Sequence, residues 1–298
     1  MPTAGRSEGR ARPVRGGPRH WCRLRALARV VSCCLALLSA AQAAHAQLRP
    51  LEPIAWRALE GGADARAALG LGLLHDQRAS LAGTRGTLLE IGNWLLTFRS
   101  GRFALEFAGT ALRRFEDDEI LAQPFVRSDP PDGDARVDAG DVRLATIVRL
   151  FGHIDESILV LRFGTRLPTT SDEPGLDRDR TDFFATVAGR YRLVDGLRIF
   201  TEAGVGIHST VLEHYPQSDV LIYGAGVEAG RTDAGIRLQV SGHDDFHRRV
   251  IRGNEDLAEL RLGGWIGERR RIEAHLVRGL AEFSPGWGVL VSGGMALW

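Results

Sequence analysis

Charged side chains recur at even spacing along stretches that are otherwise apolar. Arg143 and Arg149, Arg162 and Arg166, Arg190 and Arg192, Glu259 and Arg261, and Glu273 and His275 are separated by two, four or six positions, and Glu106, Glu202 and Arg237 sit in similar surroundings. In an extended chain, even spacing puts these groups on one face. Two kinds of chemistry follow. Guanidinium groups can pair with carboxylates of neighbouring strands and fill an interior, since buried ions without partners are prohibitively costly. Alternatively, unpaired arginines along one wall make a water-filled passage that prefers anions. Inward-parity glycines, Gly70, Gly72, Gly164, Gly204, Gly224 and Gly226, leave room beside such groups.

A hydrolytic site is the competing chemistry. His208, His214, His243, His247 and His275 are available, with Ser209 and Ser241 close to two of them. No Gly-x-Ser-x-Gly elbow or spaced triad accompanies them, so the chain is expected not to be an enzyme, and no catalytic residue is assigned. The acidic stretches Asp129–Asp134 and Asp172–Asp182 lack the spacing of an EF-hand loop. Neither a metal nor a cofactor is expected.

The elements that position these residues are strands. In Arg102–Leu112, Phe103, Leu105 and Phe107 share one face and Ala104, Glu106 and Ala108 the other, a period of two. Such segments centre on 67–74, 87–99, 102–115, 141–151, 158–167, 182–193, 197–208, 220–229, 234–241, 256–266, 271–283 and 287–298. Twelve is an even number, and most run about 9 to 13 residues, long enough to cross a bilayer when tilted. Short turns at Ser100–Gly101, Gly152–Glu156, Val194–Gly196, Gly230–Asp233 and Gly267–Arg269 alternate with longer polar loops, 76–86, 116–140, 168–181, 209–219 and 242–255. This ordering, ending on the aromatic Trp298, predicts an all-β chain: a transmembrane antiparallel up-and-down β-barrel of about twelve strands, apolar outside and charged within. Two segments depart from the scheme. The apolar phase switches between Leu89–Ile91 and Trp94–Phe98, predicting a bulge, and Arg278 falls on the lipid face.

The N-terminus predicts the route. Eight arginines and one acid precede an apolar run from Val30 to Ala44 that ends in Ala44-His45-Ala46, the layout of a cleavable secretory signal over residues 1–46. A lipoprotein signal at Cys33 is the weaker alternative, because Arg29 leaves almost no apolar core ahead of it. Residues 47–66 are expected to be a periplasmic N-terminal segment and 67–298 the barrel, in the outer membrane. All three cysteines lie in the signal, so no disulfide or thiol chemistry is expected after it. The whole chain carries 38 basic and 37 acidic residues; without residues 1–46 there are 30 and 36, a net charge of −6. Nucleic acid is therefore not an expected partner. The expected partners are outer-membrane lipid and lipopolysaccharide, the barrel-assembly machinery and a small-molecule solute.

The run Phe163-Gly164-Thr165-Arg166-Leu167-Pro168-Thr169-Thr170, through Ser171–Gly175 to Thr181-Asp182-Phe183-Phe184, resembles a group of outer-membrane barrels that includes the phenol-degradation-pathway (MetA-like) porins and FadL-like transporters. The resemblance implies uptake of small, hydrophobic or aromatic solutes, with Arg166, Pro168 and Asp182 as anchors of the loop. Here Asp177-Arg178-Asp179-Arg180 stands where that group has further glycine. The pore-lining set predicted from parity is Glu106, Arg143, Arg149, Arg162, Arg166, Arg190, Glu202, Arg237, Glu259, Arg261, Glu273 and His275. A narrow arginine-lined pore is the leading expectation, with a lipid-modifying hydrolase or a closed structural barrel as alternatives.

Overall fold

Each of the twelve sequence segments forms a strand, and consecutive strands pair until the first meets the last. The computed structural model describes residues 48–60, 64–121, 135–169, 176, 180–212, 215–246 and 256–298. The strands are β1 (Ala65–Ala79), β2 (Thr84–Ser100), β3 (Phe103–Ile120), β4 (Ala135–Asp138), β5 (Val142–Gly152), β6 (Ser157–Leu167), β7 (Asp182–Val194), β8 (Leu197–Leu212), β9 (Tyr215–Gly230), β10 (Ala234–Asp245), β11 (Leu257–Ile266), β12 (Arg270–Gly279) and β13 (Trp287–Ala296). β4 is a short addition that pairs only with one end of β3, Glu116 opposite Ala135. The other twelve make the wall. It closes where β1 pairs with β13, from Arg66 opposite Ala296 to His75 opposite Trp287, so the wall has no open edge.

The strands are longer than their apolar cores predicted. β1 and β2 reach Ala79 and Thr84, and β8 and β9 reach Leu212 and Tyr215, so the expected loops 76–86 and 209–219 are tight connections between extended ladders. The expected loop 116–140 likewise contributes strand at both ends. Polar residues hid these extensions, because ladder hydrogen bonds continue above the membrane, where no apolar face is required. In the opposite direction, β12 stops at Gly279, four residues short of the expected Phe283. The signal 1–46, the cysteines and the acidic stretch Asp129–Asp134 lie outside the described residues.

The phase switch in β2 is a bulge at Gly92. Gly70 and Leu71 of β1 face Asn93 and Ile91, leaving Gly92 as the extra residue at φ 70°. Glycine carries that positive φ without strain. The outward set thus passes from Leu89 and Ile91 to Trp94, Leu96 and Phe98.

The wall is apolar on its outer face. Leu69, Leu71, Phe103, Phe163, Ile236, Leu262, Leu276 and Met295 are exposed there, while Glu90, Arg162, Glu228, His243 and Glu259 are buried within. A soluble sheet protein would reverse this; the exposed band is the surface of a barrel set in hydrocarbon. Arg278 sits one residue from the end of β12 and donates to the Gly286 carbonyl at 2.5 Å, which puts it at the rim and not in mid-membrane.

The interior is occupied. Residues 48–60, expected in the periplasm, run instead through the cylinder. Leu48 packs with Leu74, Ala79, Leu88 and Phe115 near the ends of the strands that carry the long loops. Ile54, Trp56 and Leu59 pack with Ile154, Ile158, Val160 and Phe200 near the short turns. The segment finishes in a 3-10 turn, Trp56–Leu59, before β1. It lies inside because its charges and backbone amides find partners on the inner wall that water outside would have to replace.

The candidate functional site in the barrel interior

A lattice of ion pairs joins this segment to strands all round the wall. Arg49 contacts Glu90 of β2 at 2.9 Å, Glu259 of β11 at 3.5 Å and its own Glu52 at 2.7 Å. Glu52 receives two bonds from Arg261 of β11, at 2.6 and 3.1 Å. Its carbonyl accepts from Arg162 of β6 at 2.9 Å. The Ile54 and Ala55 amides donate to Glu202 of β8 and Glu106 of β3, each at 3.4 Å, and Glu60 pairs with Arg190 of β7 at 3.2 Å. A chain held from β2, β3, β6, β7, β8 and β11 crosses the lumen.

The wall residues also pair with one another. Arg162 bridges Glu106 at 2.8 Å and Glu202 at 3.4 Å, and Thr186 donates to Glu202 at 2.6 Å. Glu228 is shared by Arg190 and Arg237, each at 2.7 Å. Arg261 contacts Glu259 at 2.7 Å, Arg271 contacts Glu273 at 2.6 Å, and His275 lies 3.5 Å from Glu273. Arg166 is clamped between Asp182 and Asp141, the latter at 3.1 Å, while Asp182 also accepts from the Ser209 amide at 3.0 Å. Arg166 and Asp182, two of the loop anchors that the resemblance implies, are thus ion-paired across the hairpin. Pro168 follows β6 directly, where it can end the ladder without forfeiting a donor.

Of the predicted lining set, Arg143, Arg162, Arg166, Arg237, Arg261, Glu106, Glu273 and His275 border one internal cavity of about 380 Å³, which lies between residues 48–58 and the wall. Arg190, Glu202 and Glu259 are buried behind it as partners of other side chains. Arg149 keeps inward parity opposite buried Val160 but does not border the cavity. Parity missed Arg49 and Glu52, which lie off any strand, and also Glu90, Arg113 and Glu228. Glu90 and Arg113, 3.2 Å apart, lie beyond the bulge at Gly92, where the phase changes. Glu228 shares its parity with Val220, Ile222, Gly224 and Gly226, so nothing polar marked that face.

Most of the arginine wall is therefore neutralised. Removing one member of such a buried pair costs about 3 to 5 kcal/mol, because the other charge is stranded. The lattice fixes the inner segment in one place.

Of the residues suggested for hydrolysis, His214 and His247 lie outside the described residues. His208 and His243 face inward, with rings 5.3 Å apart and nearly perpendicular. Ser209 Oγ donates to the Thr181 carbonyl at 3.0 Å, and buried Ser241 Oγ has no hydrogen-bond partner among the described residues. Neither hydroxyl is thus set against a base that would activate it. Among the described residues no cluster of three or more His, Cys, Asp or Glu has metal-binding geometry.

No family model and no curated protein matches the chain. Among solved structures, the chain is similar to the COG4313 outer membrane channel from Pseudomonas putida F1, with a TM-score of 0.54 and 12% identity over 82% of this chain and 99% of that one. The NanC porin matches with a TM-score of 0.45 and 8% identity over 76% of this chain and 98% of that one. LpxR from Salmonella typhimurium matches with a TM-score of 0.41 and 9% identity over 77% and 99%. At such identity the likeness is one of fold: this chain folds as a twelve-stranded barrel of the outer-membrane type.

Proposed function

We propose that the protein is an outer-membrane channel for small solutes, closed at rest by its own residues 48–60, with the short-turn end in the periplasm. The observation that carries this reading is the anchoring of Glu52 by Arg261 and of Arg49 by Glu90: beside the pairs that join strand to strand, the barrel spends interior charges on holding a chain segment that is not part of its wall. A barrel built only as a scaffold has no use for a stopper held by ion pairs and hydrogen bonds from six of its strands. The FadL-like and phenol-pathway resemblance around Arg166, Pro168 and Asp182 points the same way, toward solute uptake.

Planar-bilayer recording tests the reading directly. The intact protein should show small, infrequent openings, and deletion of residues 48–60 should give steady conductance with larger unit steps. A deletion variant that folds as a heat-modifiable barrel yet conducts no better than the intact protein overturns it.

A further inference from the structure

Arg143 differs from most of the other arginines that border the cavity. It lies on β5 with its Cα opposite that of Arg166, and among the described residues no carboxylate oxygen comes within 4 Å of it. The carboxylates that influence it electrostatically are Glu106, Glu52 and Asp141, and each is engaged by another arginine. Glu106 is held by Arg162 at 2.8 Å, Glu52 by Arg261 at 2.6 Å and Asp141 by Arg166 at 3.1 Å. The Nε–H of Arg143 is buried with no acceptor. A half-buried guanidinium with its Nε–H unsatisfied is expensive to maintain. It also keeps donors for an incoming anion, because the carboxylates that act on it are each held by another arginine.

Apolar side chains border the same space. Phe184 and Ile222 form a buried cluster with Ala145, Leu51 of the inner segment packs against it, and Leu51, Phe184, Ile222 and Arg143 all line the cavity. Among cavity charges that are mostly paired, an arginine without an ion pair beside an apolar patch has the layout of a small-molecule site.

We propose that this cavity binds a small organic carboxylate, its anionic group on Arg143 and its apolar body against Leu51, Phe184 and Ile222. The inference rests on the channel reading in that it names the class of solute the lumen selects. Because one wall of the site is Leu51, the ligand touches the segment that closes the passage.

Calorimetric titration of the full chain in detergent tests it, with hexanoate and hexan-1-ol as probes of matched apolar body. Hexanoate should bind at least about tenfold more tightly, as expected for a charge-assisted pair in a water-poor site. Arg143→Gln should bring the two affinities together, while Arg143→Lys should restore part of the difference. Arg149→Gln, outside the cavity, should leave the preference intact. Equal binding of the two probes by the unaltered protein overturns the proposal without recourse to any variant, as does a preference that persists in Arg143→Gln. Displacement of hexanoate by chloride at equal concentration shows a bare anion site and overturns the apolar half. Binding and conductance fail separately: loss of the probe preference beside an enlarged conductance in the 48–60 deletion rejects the carboxylate site and keeps the channel, and the converse rejects the channel.

Discussion

Arg261 grips Glu52 from across the lumen with two roughly parallel bonds, Nη1 to Oε2 at 2.6 Å and Nη2 to Oε1 at 3.1 Å. A two-point fork fixes orientation as well as distance, so Glu52 cannot swing aside while it holds. If this pair latches the inner segment, Glu52→Gln and Arg261→Gln should each raise the open population. The Glu52 side chain is partly exposed to the lumen, which screens the pair. We therefore expect about 1 kcal/mol, or roughly a fivefold rise, toward the lower end for a charged hydrogen bond. The double variant should open by less than the sum of the two, since both remove this contact, although Glu52 also pairs with Arg49 and Arg261 with Glu259. Open probability in bilayer recordings checks this, and additive effects would show that the two residues act apart.

Trp56 wedges the other end of the segment. It is buried against Phe200, with ring centroids 6.5 Å apart, inside the apolar cluster near the short turns. Trp56→Ala should loosen this anchor by about 3 kcal/mol, the lower end for an aromatic truncated in a packed core. Limited proteolysis of the folded barrel should then cleave between residues 48 and 60, which stay protected in the intact protein. Unchanged protection would mean that the lattice at Arg49 and Glu52 suffices alone.

Gly92 and Gly101 separate two costs of adding a methyl group. Both have positive φ, 70° and 61°. A Cβ at Gly92 would lie 3.0 Å from that of Ala111, whereas one at Gly101 meets nothing within 4 Å. Gly101→Ala should therefore cost only the conformational penalty, about 1 to 2 kcal/mol, and Gly92→Ala measurably more. Urea midpoints of the two refolded variants compare them. Equal midpoints would show that the ladder relaxes at the bulge.

Asp256, beyond the end of β10, offers a pH dependence. Burial pushes its carboxyl above the ordinary range; the bond that Oδ1 accepts from the Asp245 amide at 2.8 Å opposes this, and Asp244 reinforces it. A carboxyl whose folded pKa is raised weakens the fold at pH values above that pKa and ceases to do so below its unfolded pKa, near 4. Asp256→Asn, which keeps the acceptor and drops the charge, should raise the melting temperature at pH 7, with the gain fading as the pH falls through that range. An equal gain at pH 7 and pH 3 would exclude charge as the cause.

The wall was legible in the sequence because lipid on one side and ions on the other enforce a strict period of two. Even the exception announced itself, since Leu89 and Ile91 on one parity and Trp94 and Phe98 on the other required the bulge found at Gly92. The inner segment was not legible. Leu48, Leu51, Ile54, Trp56 and Leu59 follow neither strand nor helix spacing, Pro50 and Pro53 read as linker, and the partners of Ile54 and Glu52 lie 148 and 209 positions away. A carboxylate and a guanidinium three residues apart beside a tryptophan, just before the first strand, were the available signal. Arg143 was read as one lining arginine among many. What distinguishes it is that its neighbours' carboxylates are engaged elsewhere, a relation between strands that no single segment encodes.

The segment joins the wall through β1 at the short-turn mouth, while Leu48 and Arg49 lie toward the opposite mouth. Toward the long loops, the described part of this segment is therefore held without a covalent neighbour in the wall, by the apolar contacts of Leu48 and the ion pairs of Arg49 and Glu52.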